Sequence, residues 1–228
     1  MYAVMNTQDP NAATPAKMLP FARALAADVQ AGLASGLGAP VTPATLRAAA
    51  AASHQYYEQT WRYVQSLNVV PHACAAGCSH CCHLTVEVSA PEASLIAAHL
   101  RATESPKRQA QIAAQVRTTA LRVRGLSPEE RVRAAVPCAL LHEGQCSVYD
   151  VRPLGCRSWN SRDAGVCAKV MADGSGDLRP VQDQRPFGIE SGVRAGFTAA
   201  LKEVGFAERA EERLELNAAL AAALETTQ

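Results

Sequence analysis

A mainly α-helical fold with an irregular, cysteine-rich centre is predicted by three observations. Apolar residues recur at helical spacing across both flanks of the chain. Cap, proline and glycine signals bracket these periodic stretches. Between them, residues 137–160 are rich in Gly, Pro and Cys and follow no period, so they read as loops and short turns.

Taken in order, residues 1–17 are polar, rich in Ala, Pro and Asn, and expected to be disordered. Leu25, Val29 and Leu33 then mark a helix, with Gly36 as its stop. Thr42 suits an N-cap and Pro43 the first helical position of a long helix. Its expected buried face is Leu46, Ala50, Ser53, Tyr57, Trp61, Val64 and Leu67. LTVEV, 84–88, alternates like a short strand. Ser89 and Glu92 have capping-box spacing and open a helix through about His99. Ser105–Arg124 is a helix with Ile112, Val116, Ala120 and Val123 inward, and a short one follows Ser127–Pro128. Ser161–Met171 reads as a short helix carrying Cys167, and ADGSGD after it as a flexible loop. Ile189, Val193, Phe197, Leu201 and Val204 form a helical stripe ended by Gly205. Ala210, Leu214, Asn217, Leu220 and Leu224 are expected to form the last helix. The expected organisation is one helical domain over 18–228, with 70–170 its metal-binding region and the flanking helices packed around that centre.

Composition narrows the functional classes. Among 228 residues, 48% are hydrophobic and 19% charged, an ordinary globular balance. The net charge of +1 gives no bias toward nucleic acid or a membrane surface, and neither is expected as a partner. Asp9 and Pro10 interrupt any signal-like apolar stretch, and no run is long enough for a transmembrane helix. A cytoplasmic location, where thiols stay reduced, is expected.

The cysteines carry the chemistry. CAAGCSHCC, 74–82, holds Cys74, Cys78, Cys81 and Cys82, and Cys138, Cys146, Cys156 and Cys167 follow. A chain this long folds without staples, so disulfides are the weaker reading. Short cysteine spacings let a turn bring two sulfurs to one ion, as in zinc sites and iron–sulfur clusters. Thiolates suit zinc, iron and copper(I) alike, so the spacing identifies a metal site and not the metal. Two zinc sites would use all eight cysteines; one iron–sulfur cluster would use four; a mixed site would add His72, His80 or His83. The vicinal Cys81 and Cys82 are expected to serve different sites or different roles. Arg152 and Arg157, with the Pro153–Gly155 backbone, are candidates to offset thiolate charge and donate to sulfur. Tyr149 and Trp159 are candidates to shield the centre from water.

Other motifs fail. Haem attachment needs C-x-x-C-H, and here a second cysteine follows Cys81. GLASGLG, 32–38, follows no strand, so it is not a dinucleotide loop. The basic excess of 101–133, eight Lys/Arg against three Asp/Glu, reads as a solvated helix face.

CAAGCSHCC, PEASLIAAHL and GQCSVYDVRPLGCRSWNS together resemble the CxxCxxCC, or YkgJ-like, cysteine-cluster family of bacteria. The resemblance spans roughly 70–170 and includes all eight cysteines with Glu92, Arg152 and Pro153. One departure is the three-residue gap between Cys74 and Cys78, where the family's name implies two. The resemblance implies a domain that chelates zinc or iron, in some members labelled an iron–sulfur protein or oxidoreductase. Flagellin lysine methylases carry a similar cluster, which opens an enzymatic alternative, although no methyl-donor loop follows a strand here. Three functions therefore stand side by side: metal binding between helices, an iron–sulfur enzyme, and metal handling.

Overall fold

The computed structural model describes residues 14–37, 41–67, 71–174 and 180–226. Thr14 Oγ1 accepts from Lys17 N–H at 3.3 Å and Pro15 follows it, a cap that starts helix α1 at Pro15–Leu37. The segment expected to be disordered is thus helical from Pro15; residues 1–13 lie outside the described residues. Thr42 Oγ1 likewise accepts from Thr45 N–H at 3.2 Å and opens α2, Pro43–Leu67. Ala50, Ser53 and Tyr57 are buried on α2 as expected, but Leu67, at its end, is 67% exposed.

The capping box closes as the spacing predicts: Ser89 Oγ accepts from Glu92 N–H, and Ser89 N–H donates to Glu92 Oε2 at 2.9 Å. It opens α3, Ala90–Thr103. Next come α4, Pro106–Val123, and α5, Pro128–Ala134, capped by Ser105 and Ser127. Thr119, not Ala120, completes the buried face of α4. Two short helices follow, α6 at Leu154–Ser158 and α7 at Ala164–Asp173, before the 20-residue α8, Gln184–Glu203.

The stretch predicted as one last helix is broken in the structure. It forms α9, Ala207–Ala210, then an extended pair, Leu214–Glu215, then α10, Leu216–Glu225. Leu214 and Glu215 pair antiparallel with Val88 and Glu87, and Leu216 N–H reaches Val86 O at 2.9 Å. Glu215 then caps α10 by accepting from Ala218 N–H at 2.9 Å. The long-range ladder overrides a helical period that is present in the sequence. Only Glu87–Val88 of the LTVEV alternation forms strand. We call the strands β1, Glu87–Val88; β2, Leu141–His142; β3, Gln145–Cys146; and β4, Leu214–Glu215.

Two hydrophobic cores result. One joins Val29 and Leu33 of α1, Tyr57 of α2, Leu154 of α6, and Ile189, Val193 and Phe197 of α8. The other joins Val88 of β1, Ile96 and Leu100 of α3, Ile112 and Val116 of α4, and Leu216 and Leu220 of α10. Each fully buried aliphatic side chain contributes ~1.5–3 kcal/mol. The first core depends on a glycine stripe that sequence reasoning overlooked. A Cβ on Gly192 would stand 2.7 Å from Ala22 O, and one on Gly196 would meet Ala26 O and Val29. Glycine at these places lets α8 approach the α1 backbone directly. The flanks therefore pack mainly on each other and on α3 and α4. The cysteine region lies along the seam between the cores: Leu154 enters the first, while Cys138 and Cys146 pack against the second. Among the described residues no helix is long and apolar enough to cross a membrane.

Candidate metal centre

All eight cysteines carry free thiols. Cys78 N–H donates to Ala75 O at 3.0 Å, with Gly77 at φ +90°, which closes a turn that only glycine enters without strain. His80–His83 then form a single 3₁₀ turn, in which Cys82 N–H donates to Ser79 O and Leu84 N–H to Cys81 O. Three residues per turn send the Cys81 and Cys82 Cα–Cβ bonds in different directions. Their thiols still interact: a hydrogen bond between them holds Cys82 below the usual thiol range and pushes Cys81 up.

The later cysteines are tied to the first cluster by backbone. Cys138 N–H donates to Cys82 O at 2.7 Å. The β2–β3 hairpin turns at Glu143 and Gly144, both with positive φ, and sets Cys146 opposite Leu141. Ala73 N–H donates to Ser161 O at 2.8 Å, and Cys74 Sγ accepts from Ser161 N–H at 3.2 Å. Asp163 Oδ1 caps α7 by accepting from Gly165 and Val166, so that helix starts later than Ser161. It carries Cys167 and packs on the 80–83 turn.

Charge interactions link the thiols into two groups that overlap at Cys81. Cys82, Cys138, Cys146 and Cys156 lie within electrostatic range of one another in every pairing. Cys74 lies within range of Cys78, Cys167 and Cys81, and Cys81 also reaches Cys82 and Cys156. Burial, reinforced by the neighbouring thiols, pushes Cys138 up to about 12 and Cys156 well above the ordinary thiol. Arg152 opposes this at Cys74, Cys146 and Cys156, and Arg131 at Cys138. The Arg152 guanidinium lies 3.8 Å over the Tyr149 ring, and its buried Nε has no hydrogen-bond partner. Arg157 is engaged elsewhere: Nη1 pairs with Glu58, Nη2 donates to Asp150 O, and Nε donates to Arg152 O at 2.8 Å.

The residues that hold this region were largely invisible as a pattern. Glu92 Oε1 accepts from Leu154 N–H at 3.0 Å and faces His54 Nε2 at 3.4 Å, so the α3 cap also fixes the helix that carries Cys156. Burial pushes the Glu92 carboxyl up, but His54, Ser89 and Leu154 outweigh it and bring it down to about 2. Asn160 clasps Asp183, donating to its carbonyl at 2.9 Å and accepting from its N–H at 2.7 Å. His72 stacks on Trp61 with ring centroids 5.2 Å apart and faces Asp183 Oδ2 at 3.4 Å. His83 Nδ1 lies 3.3 Å from His80 O, and Trp159 meets Phe187 edge-on. Tyr149 is 39% exposed.

Among the described residues, no group of three or more Cys, His, Asp or Glu side chains is already arranged to hold a metal ion. The donor chemistry nevertheless fits zinc or iron: the side chains gathered here offer sulfur, and Arg152 has a buried nitrogen with no hydrogen-bond partner. Thiolates formed there would meet cations already in place.

No curated protein and no solved structure matches the chain. The model of the CxxCxxCC family, described as "Putative zinc- or iron-chelating domain", matches residues 73–172. That stretch runs from the residue before Cys74 to just beyond Cys167, under half of the chain, and over it the chain is similar to the CxxCxxCC family.

Proposed function

We propose that this protein chelates zinc or iron through its eight cysteines, arranged as two four-thiolate sets. Cys82, Cys138, Cys146 and Cys156 form one; Cys74, Cys78, Cys81 and Cys167 form the other. The mutual electrostatic range of the first four is the observation that carries this reading. Arg152, in range of both sets, supports it further, because four thiolates on a divalent ion leave a net negative charge. Closing either set on an ion requires its buried thiols to ionise and rotate, so binding releases protons and stiffens the seam between the two cores. A reducing, cytoplasmic setting suits the eight free thiols.

The test is metal and acid-labile sulfide per chain on protein purified without oxygen. About two zinc ions and no sulfide fits two mononuclear sites. About four irons with matching sulfide places a cluster on one set and directs attention to electron transfer or catalysis. Protein that holds no metal under any loading condition overturns the reading.

A further inference from the structure

A second cleft has no cysteine in its lining. The C-terminal end of α4, the 124–126 loop, α5, β4 and α10 enclose a cleft of about 540 Å³. Ala120, Leu121, Leu126 and Ala221 give it an apolar lining. At its wall is Arg131, only 2% exposed. Arg131 Nε is buried without a hydrogen-bond partner. Its Nη1 stands 3.5 Å from Glu215 Oε1, close enough for attraction but not in a hydrogen bond. A guanidinium taken out of water with donors unmet is costly, and the natural remedy is an anion that fills its fork.

The charge of the lining sets the kind of anion. Arg117, Arg124 and Arg131 face Glu215 and Glu225, an excess of a single positive charge. A dianionic phosphate would meet two carboxylates; a monoanionic carboxylate balances the site. The cleft volume falls in the range of small-molecule sites. We propose that this cleft binds a small organic carboxylate, its head on Arg131 and its apolar body between α4 and α10. This site does not depend on the metal reading, although Arg131 is also within electrostatic range of Cys138.

The experiment is calorimetric titration of the full chain with hexanoate, hexan-1-ol and hexyl phosphate, alongside metal analysis. Hexanoate should bind one per chain, at least tenfold tighter than hexan-1-ol and no weaker than hexyl phosphate. Arg131→Met should bring hexanoate down to the level of the alcohol. Ala218 lines the cleft from an exposed position, so Ala218→Trp fills it without disturbing the core and should abolish binding. Equal binding of hexanoate and hexan-1-ol, or binding unchanged by Ala218→Trp, overturns the proposal. So does wild type that ignores hexanoate while Arg131→Met sheds metal, since Arg131 then serves only Cys138. If Arg131→Met does not fold, the hexanoate-to-alcohol ratio and Ala218→Trp decide alone.

Discussion

The Glu92 carboxylate accepts from the backbone N–H of Leu154 at 3.0 Å, across 62 residues of chain. One buried side chain therefore joins the cap of α3, the first residue of the Cys156 helix and His54 of α2. Glu92→Gln keeps the shape but removes the charge and an acceptor. It should destabilise the fold by ~2–4 kcal/mol and lower the melting temperature by roughly 4–16 °C. It should also weaken metal retention. Thermal melts with metal analysis check this, and a melt within a degree of wild type with full metal would refute the clamp.

Stability should fall with acid through the same group. The Glu92 carboxyl sits at about 2 when folded, below its ordinary 4.5, so its contribution is complete above 4.5 and is lost as the pH drops toward 2. Asp183 is also held low, since bonds from His72 and Arg185 outweigh its burial, and it adds in the same direction. Urea titrations at stepped pH should show a steeper acid loss in wild type than in Glu92→Gln. Parallel curves would mean the folded carboxyl titrates normally.

The close approach of α1 and α8 should not tolerate even a methyl group. Gly192→Ala puts a carbon against the carbonyl of Ala22, and the backbone has to move. We expect a loss of about 1–3 kcal/mol. Gly36, with open space around its Cβ position, is the control, and Gly36→Ala should be close to neutral or stabilising. Equal stability of the two variants would contradict the packing.

Cysteine substitutions should divide by set. Cys146→Ser should remove metal from the set containing Cys82 and leave the other loaded; Cys78→Ser should do the reverse. Cys81→Ser and Cys156→Ser should each lower bound metal and soluble yield. Alkylation mapping of the remaining thiols reads the partition directly. Full retention in Cys81→Ser and Cys156→Ser would refute their assignment as ligands.

Asn160→Ala opens the clasp, removing the bonds from its side chain to the Asp183 N–H and to the carbonyls of Asp183 and Ser158. The expected cost is ~1–3 kcal/mol. Hydrogen exchange should locate it at the start of α8, and unchanged protection there would show that the clasp carries no load.

Local signals were enough for most helices, because caps and apolar periods act within a few residues of themselves. Thr42, the Ser89–Glu92 box and the Ile189-to-Leu201 stripe appear in the structure where the pattern places them. The predicted helix through Leu214 fails because Val88 claims that residue for a ladder. No local rule reports a partner more than a hundred residues away. The kind of chemistry on offer was equally legible: eight cysteines present thiols to a metal whatever the fold, since donor type is a property of the side chain. Which thiols share a neighbourhood was decided by tertiary structure, through the Cys138-to-Cys82 bond, the Ser161-to-Cys74 bond and the reach of Glu92 to Leu154. The orphaned donors of Arg131 also exist only in the folded chain, because burial and the lack of a partner arise when distant segments close over a side chain.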